Sequence, residues 1–395
     1  MPERRSNYYI TNFTERQRAV VLLLLLAILS PLVLSHVRRW ETKPFWDANG
    51  YAEGITGYGR DGTATSAYVV PGYTPIDYPP VFILGGHWLA RILTPEVGYP
   101  LYLLTHIFCL VGLPFLLVRF YLPGMGFLEA YLLLAIAPLY LGEEVLFATN
   151  IASICYFLIF VTAIPGLRRN RWIWFYAAII LASSLKIIFL LFLLLPLLLG
   201  TAEILPSAIT VAATCCIYIG QMIMVPDLYR EFRKMISINI IYSTGNYGYA
   251  LYGMVANLLK RFHSMDRIIP GAAQVIFAIA IVAVLLRLRT RVRPRDPRWV
   301  ALVILAFFLI TPRLADYDTV TALLPAYFLL LPTWRSPLTL ALLALSFAGL
   351  FVGHGAVGLL FLLISGFIVG VKALTADFSG LQAPALEQSC RSEAF

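Results

Sequence analysis

The sequence predicts an all-α polytopic membrane protein, one membrane domain over residues 1–395, and three observations carry that prediction. Sixty per cent of the residues are hydrophobic and only 13% are charged, with a mean hydropathy of +0.80. Soluble domains carry roughly a quarter charged residues. The apolar residues arrive in nearly unbroken blocks, at 20–29, 187–199, 275–286, 300–310 and 358–371, rather than in amphipathic stripes. Helices that are apolar all round have nothing to cover them in water, whereas about twenty such residues cross the hydrocarbon of a bilayer. Finally, the net charge of 30 − 21 = +9 is concentrated between the apolar blocks, at 168–171 and 287–298 above all. That is the pattern of cytoplasmic segments held against anionic lipid, and it argues against a nucleic-acid surface.

Taken in order, the first helix covers 19–36. It is too long for a signal-peptide core and many spans follow, so it reads as a retained first span. A polar loop rich in Gly, Tyr and Pro occupies 37–80, and the apolar stretch 81–93 after it has only about two-thirds of a spanning length. Spans follow at 98–118, 126–142, 149–165, 172–185, 187–199 and 205–224. A second polar loop fills 225–269, and the last spans are 270–288, 299–313, 319–334, 337–352 and 356–371, ahead of a polar tail.

Charge around the first helix does not orient the chain. Arg4, Arg5, Arg16 and Arg18 precede it, and Arg38, Arg39, Lys43 and Arg60 follow it. The later positive positions (Arg119, 168–171, 287–298, Arg335 and Lys372) share one side if 81–93 does not cross and 172–199 crosses twice. This solution follows the positive-inside rule and gives about twelve spans, both termini in the cytoplasm, and both polar loops outside. In the other parity 81–93 crosses and 172–199 is one long tilted helix.

Cys109, Cys155, Cys215 and Cys216 lie in apolar segments and Cys390 in the tail, with no Cys/His spacing suited to zinc or to a disulfide framework. The histidines are scattered, and no phosphate-binding glycine loop or dinucleotide fingerprint occurs. No metal, nucleotide or other cofactor is expected.

Some polar residues stand where they are costly. Lys186 interrupts the apolar run 179–199, and a charge within a span costs a few kcal/mol and is usually paired or functional. Snorkelling to the interface is the simpler role for it. Arg313, Asp316 and Asp318 follow the span 299–313 at its outer end. They fit a salt-bridged interfacial turn or an anion-binding arginine supported by carboxylates. The first outer loop holds Asp47 among Phe45, Trp46 and Tyr51, a carboxylate suited to act as general base over a sugar or lipid headgroup, or part of an aromatic belt. Tyr78-Pro79-Pro80 reads as a rigid elbow before the next helix. The second loop carries Arg230, Arg233 and Lys234, then Tyr242, Asn246, Tyr247, Tyr249 and Tyr252. Basic residues on the outer side suit a phosphate-bearing lipid or a plain interfacial helix.

In this order the pieces resemble the GT-C class of membrane glycosyltransferases, in particular glycosyltransferase family 87, over about 45–330. The likeness is carried by Asp47 with Tyr51, by Tyr78-Pro79-Pro80, by Asn150 ahead of the basic turn 168–171, and by the small-residue helix ending in Lys186. Gly245-Asn246-Tyr247 and the proline-led turn from Pro312 to Pro325 complete it. The chain departs from the family at Phe189, where proline is usual. It departs again at 147–149, which lacks the usual Gly-Gln pair, and in the late turn, where Tyr317 and Asp318 stand in place of a histidine.

The resemblance implies a polyprenyl-phosphate sugar donor, mannose-bearing in the family, and a lipid or glycan acceptor. Transfer would occur at the outer face of a cell membrane, as in a bacterial cytoplasmic membrane. Asp47 would be the base of an inverting displacement, Lys186 and Arg313 would hold the donor phosphate, and Tyr51, Tyr78 and Tyr247 would pack on sugar faces. Asn150, Asn246, Asp316 and Asp318 would complete the substrate site. Two other classes remain: a transporter or flippase for lipid-linked sugars, which predicts interrupted helices in matching halves, and a scaffold subunit without chemistry.

Overall fold

The structure is a computed structural model describing residues 45–73, 76–136, 149–200, 204–241, 250–262, 268–314, 316–333 and 355–392, with a few positions between 336 and 345. Among these residues every regular element is helical. Five helices are long and apolar enough to cross a membrane: Glu96–Tyr121, Ala152–Arg169, Ile204–Met224, Ile268–Arg289 and Gly358–Ala376. They fall on the expected spans 98–118, 149–165, 205–224, 270–288 and 356–371. Shorter apolar helices occupy Ile173–Leu185, Ile187–Leu199, Pro297–Ile310 and Thr321–Leu330. The expected spans 19–36 and most of 337–352 lie outside the described residues.

The first described segment is a cap of three helices. Helix α1 (Trp46–Asp61) starts after Phe45, which has a left-handed φ of 60°, and stops at Gly62, whose positive φ of 64° lets its N–H return to the Tyr58 carbonyl. Helix α2 (Ala64–Tyr68) is short and crosses α1 closely. The crossing requires glycine: a Cβ on Gly54 would stand 2.6 Å from the Ala67 carbonyl oxygen, and one on Gly57 2.9 Å from that of Ser66.

Helix α3 (Pro80–Ile92) opens with proline in its first turn, where the missing N–H is no loss. The Tyr78-Pro79-Pro80 elbow is therefore present. At 13 residues and about 20 Å, α3 is too short to cross a hydrocarbon layer of about 30 Å.

Helix α4 (Pro95–Leu116) carries internal Pro100 and Pro114 and runs on as a π-helical turn over Leu117–Tyr121. After α5 (Phe127–Ile136) and α6 (Ala152–Arg169), helix α7 (Ile173–Leu185) ends at Lys186. Lys186 is extended (φ −141°, ψ 108°), and a 3₁₀ segment (Ile187–Leu193) and α8 (Leu194–Leu199) continue the chain. Residues 172–199 are thus not one long helix, which corrects that alternative. The second polar loop also contains regular structure. Helix α9 (Ile204–Met224) leads into α10 (Pro226–Ile241), followed by α11 (Leu251–Arg261). Helices α12 (Ile268–Arg289), α13 (Pro297–Ile310), α14 (Asp316–Leu330) and α15 (Gly355–Ser392) complete the described chain.

Two cores result. In the larger, every residue of α13 from Trp299 to Ile310 is buried, with α12, α14 and α15 around it. An aromatic knot of Tyr156, Phe160, Phe189, Phe192, Phe307 and Phe308 lies at its centre, with Phe192 stacked on Phe307. The smaller core joins Tyr51, Tyr68, Tyr78 and Ile83 of the cap to Leu228, Phe232 and Met235 of α10. Helix α10 of the second polar loop therefore packs on the cap formed by the first.

The outside supports a lipid environment. Leu104, Phe108, Val111 and Phe115 form an exposed apolar stripe along α4. Helix α9 is inverted relative to a soluble helix: Ser207, Thr210, Thr214 and Gln221 are buried while Ile209, Ile219 and Ile223 are exposed. Its buried face bonds α7, with Ser183 Oγ 2.8 Å from Thr214 Oγ1 and the Tyr218 hydroxyl donating to the Ser183 carbonyl at 3.1 Å.

Candidate active site

Asp47 stands in the first turn of α1. Phe45 ahead of it has no capping side chain, so the orphan N–H groups of this helix start need partners from elsewhere. The Ala48 N–H donates to Thr149 Oγ1 at 3.3 Å, and the Tyr102 hydroxyl donates to the Thr149 carbonyl at 2.6 Å. This ties α1 to the start of α6 and to α4. Thr149 itself has φ 52°, a left-handed conformation that a β-branched residue rarely adopts. Three described non-glycine residues have positive φ. Asn170 ends a helix, where asparagine tolerates it; the other two, Phe45 and Thr149, flank Asp47 and Asn150. Strain held at such positions is typical of sites whose geometry is over-determined by their surroundings.

Asn150 is the hub. Its Nδ2 donates to Asp47 Oδ2 at 2.6 Å. Its Oδ1 accepts from the Tyr78 hydroxyl at 2.9 Å, from the Ala152 N–H at 3.0 Å and from Lys186 Nζ at 3.4 Å. The Tyr51 hydroxyl donates to that of Tyr78 at 3.2 Å, and the Lys186 ammonium sits 4.9 Å from the centre of the Tyr78 ring. Five of the residues singled out in the sequence, Asp47, Tyr51, Tyr78, Asn150 and Lys186, thus meet in one hydrogen-bonded cluster. They come from four separate segments.

Burial raises the Asp47 carboxyl from its ordinary 3.8 to about 6. Hydrogen bonds from Asn150 and Tyr51 and the charge of Lys186 pull it partly back, and the neighbouring Asp77 carboxylate adds to the rise. Asp47 keeps part of its surface exposed, so the group remains reachable.

The other expected residues fall as follows. Arg313 is exposed, with Nη1 3.7 Å from Asp77 Oδ2, which brings its guanidinium beside the residue preceding Tyr78. A carboxylate beside it is thus Asp77, from the first loop. Asp318 is buried, and its Oδ1 accepts from the Tyr156 hydroxyl at 2.6 Å. Asp316 opens α14, and its side chain lies outside the described residues, as do Asn246 and Tyr247. Tyr78 is 1% exposed and Tyr51 7%. Tyr78 supports Asn150 directly and Tyr51 supports it through Tyr78, and Tyr51 also borders the cavity beside the cluster.

A cavity of about 370 Å³ opens beside the cluster between α1, α3 and α4, lined chiefly by Tyr51, Ile55, Phe82, Leu89, Tyr99 and Tyr102. Its lining is almost wholly apolar and includes Gly85, Gly86 and Gly98, whose missing side chains widen it. Thr149 and Tyr102 went unrecognised in the sequence, and only the adjacency of Thr149 to Asn150 could have signalled one of them. Among the described residues no group of histidine, cysteine and carboxylate side chains is placed to hold a metal ion. Comparison with family models, with curated proteins and with solved structures gives no match, so the site rests on its own geometry.

Proposed function

We propose that the chain is an inverting membrane glycosyltransferase. In this reading it moves a hexose, mannose by the family resemblance, from a polyprenyl-phosphate sugar to a lipid or glycan acceptor at the outer membrane face. The observation that supports this most is the convergence of Asp47, Tyr78, Asn150 and Lys186 beside an apolar cavity. A carboxylate whose proton affinity lies near pH 6 is a stronger base than a solvated one and is still largely ionised at pH 7.

In the proposed reaction Asp47 accepts the proton of an acceptor hydroxyl as that oxygen attacks the anomeric carbon. The bond from this carbon to the phosphate oxygen breaks, and its electron pair leaves with the lipid phosphate. One displacement inverts the anomeric centre through an oxocarbenium-like transition state. Lys186, and Arg313 next to Asp77, offset the negative charge growing on the phosphate, a role in which fixed cations in a water-poor site act strongly. The apolar cavity suits the hydrocarbon of a lipid-linked substrate. Twelve crossings, with both termini in the cytoplasm and both loops outside, belong to the same proposal and rest on the charge distribution.

The test is transfer of radiolabelled sugar from a panel of polyprenyl-phosphate sugars by purified protein, wild type beside Asp47→Asn. Transfer by wild type and a loss of about 10²–10⁴-fold in the variant, the range for a general base, is the expected result. Undiminished transfer by Asp47→Asn would keep the enzyme and remove Asp47 as base. The helix break at Lys186 gives some weight to a transporter for lipid-linked sugars, because interrupted helices mark such sites. Vesicles that move a lipid-linked sugar across the bilayer without transferring it would favour that reading.

A further inference from the structure

Away from the Asp47 cluster, a second cavity of about 410 Å³ lies where α9 turns into α10, lined by Met222, Tyr229, Arg230, Arg233, Lys234 and Ser237, with Pro226 at the bend. Helix α10 is two-faced. Leu228, Phe232 and Met235 recur at i, i+4 and i+7 and are buried against the cap. Arg230, Arg233, Lys234 and Ser237 recur at i, i+3, i+4 and i+7 on the exposed side. No carboxylate lines the cavity. Asp227 and Glu231 lie outside it, reaching Arg230 and Lys234 at 3.3 and 3.4 Å. Arg233 meets no carboxylate among the described residues.

The depth of this cavity is set by its neighbours. Met222 belongs to the apolar helix α9, and the next two residues, Ile223 and Met224, are 70% and 82% exposed. Such an exposed apolar helix end suits lipid, and the cavity brings the three cations of the next helix beside it, where headgroup phosphates lie. The tyrosine and serine add hydroxyl donors to the guanidinium groups, a combination suited to phosphate oxygens.

We propose that this cavity binds the phosphate of an anionic lipid headgroup, with the acyl chains running down beside Ile223 and Met224 of α9. The site is distinct from the Asp47 cluster and does not depend on the catalytic reading.

The experiment measures binding of dioctanoyl phosphatidic acid to the purified full chain in an uncharged detergent, with dioctanoyl phosphatidylcholine and inorganic phosphate as comparison ligands. Wild type is set beside Arg233→Ala and the triple variant Arg230→Ala/Arg233→Ala/Lys234→Ala. All three positions are exposed, so the unliganded variants keep the wild-type melting temperature, which verifies that they are folded. Saturable binding of phosphatidic acid is expected, weakened about five-fold by Arg233→Ala and at least about 25-fold by the triple variant. Phosphatidylcholine binds more weakly, and added salt weakens the phosphatidic acid complex. Equal affinity in wild type and triple variant, or no saturable binding by wild type, overturns the proposal. Inorganic phosphate binding as tightly as phosphatidic acid overturns the lipid assignment and gives the cavity to soluble phosphoryl groups.

Discussion

From Trp299 to Ile310 helix α13 is buried along its whole length and carries no charge, whereas Asn150 is buried among a carboxylate, an ammonium and two phenols. The first region is held by non-directional contacts, each of which tolerates small shifts. The second is held by directional bonds between residues 27 to 103 positions apart, and its partners lose most of their value when one is removed. Damage to the bundle should therefore lower stability while leaving the chemistry of surviving molecules intact. Damage to the cluster should change chemistry and proton affinity first.

Asp47→Asn separates the two most sharply. Transfer falls by the orders of magnitude stated above, yet the fold gains. The Asp47 carboxyl is raised to about 6, so its protonated form favours the fold at low pH, and that contribution is lost as pH climbs from the ordinary 3.8 through 6. At pH 7 the buried carboxylate is a cost, and the neutral amide removes it. A gain of about 1–3 kcal/mol is expected, read as a higher melting temperature at pH 7 that shrinks toward pH 4. The wild-type rate should fall about ten-fold per pH unit below 6, as the base becomes protonated.

Phe307→Ala is the matching break in the bundle. Phe307 stacks on Phe192 with ring centres 3.7 Å apart and is fully buried. Its removal should cost about 3–5 kcal/mol of stability, with the pH profile of the remaining active protein unchanged. A shifted acid limb would show that bundle and cluster are coupled more tightly than their contacts imply.

Asn150→Ala and Lys186→Met sharpen the comparison inside the cluster. Each removes an influence that lowers the Asp47 proton affinity, so each should move the acid limb of the rate profile above pH 6. Asn150→Ala also removes the acceptor used by the Tyr78 hydroxyl and the Ala152 N–H, for a further loss of about 1–3 kcal/mol. Lys186→Met should shift the limb with a smaller change in melting temperature. The smallest effect concerns Thr149. Thr149→Ala keeps the strained φ of 52° and loses the Oγ1 acceptor, while Thr149→Gly loses the acceptor and relieves the strain. Glycine should therefore be the more stable of the two by about 1 kcal/mol in thermal unfolding.

Much of the bundle was legible because burial in lipid demands unbroken apolar runs, and five of the expected spans carry helices of spanning length. The polar loops were less so. The stretch 225–269 reads as loop from its charge, but Leu228, Phe232 and Met235 give α10 an apolar face that packs against the cap. Asp47, Tyr51, Tyr78, Asn150 and Lys186 were identified one by one, through weak local patterns and a family resemblance. Nothing in their spacing says that Asn150 bonds both Asp47 and Tyr78. The approach of Asp77 to Arg313 was not legible either, since the two stand far apart in the chain.

By itself the sequence determined that this chain is helical and belongs in a membrane, because hydrophobicity and charge bias act locally and survive any arrangement of the helices. Tertiary structure alone decided which carboxylate sits in a place dry enough to hold its proton near pH 6 and which amide and ammonium hold it there. Proton affinity depends on surroundings gathered from α1, α6 and the break after α7, and no single stretch of chain contains that environment.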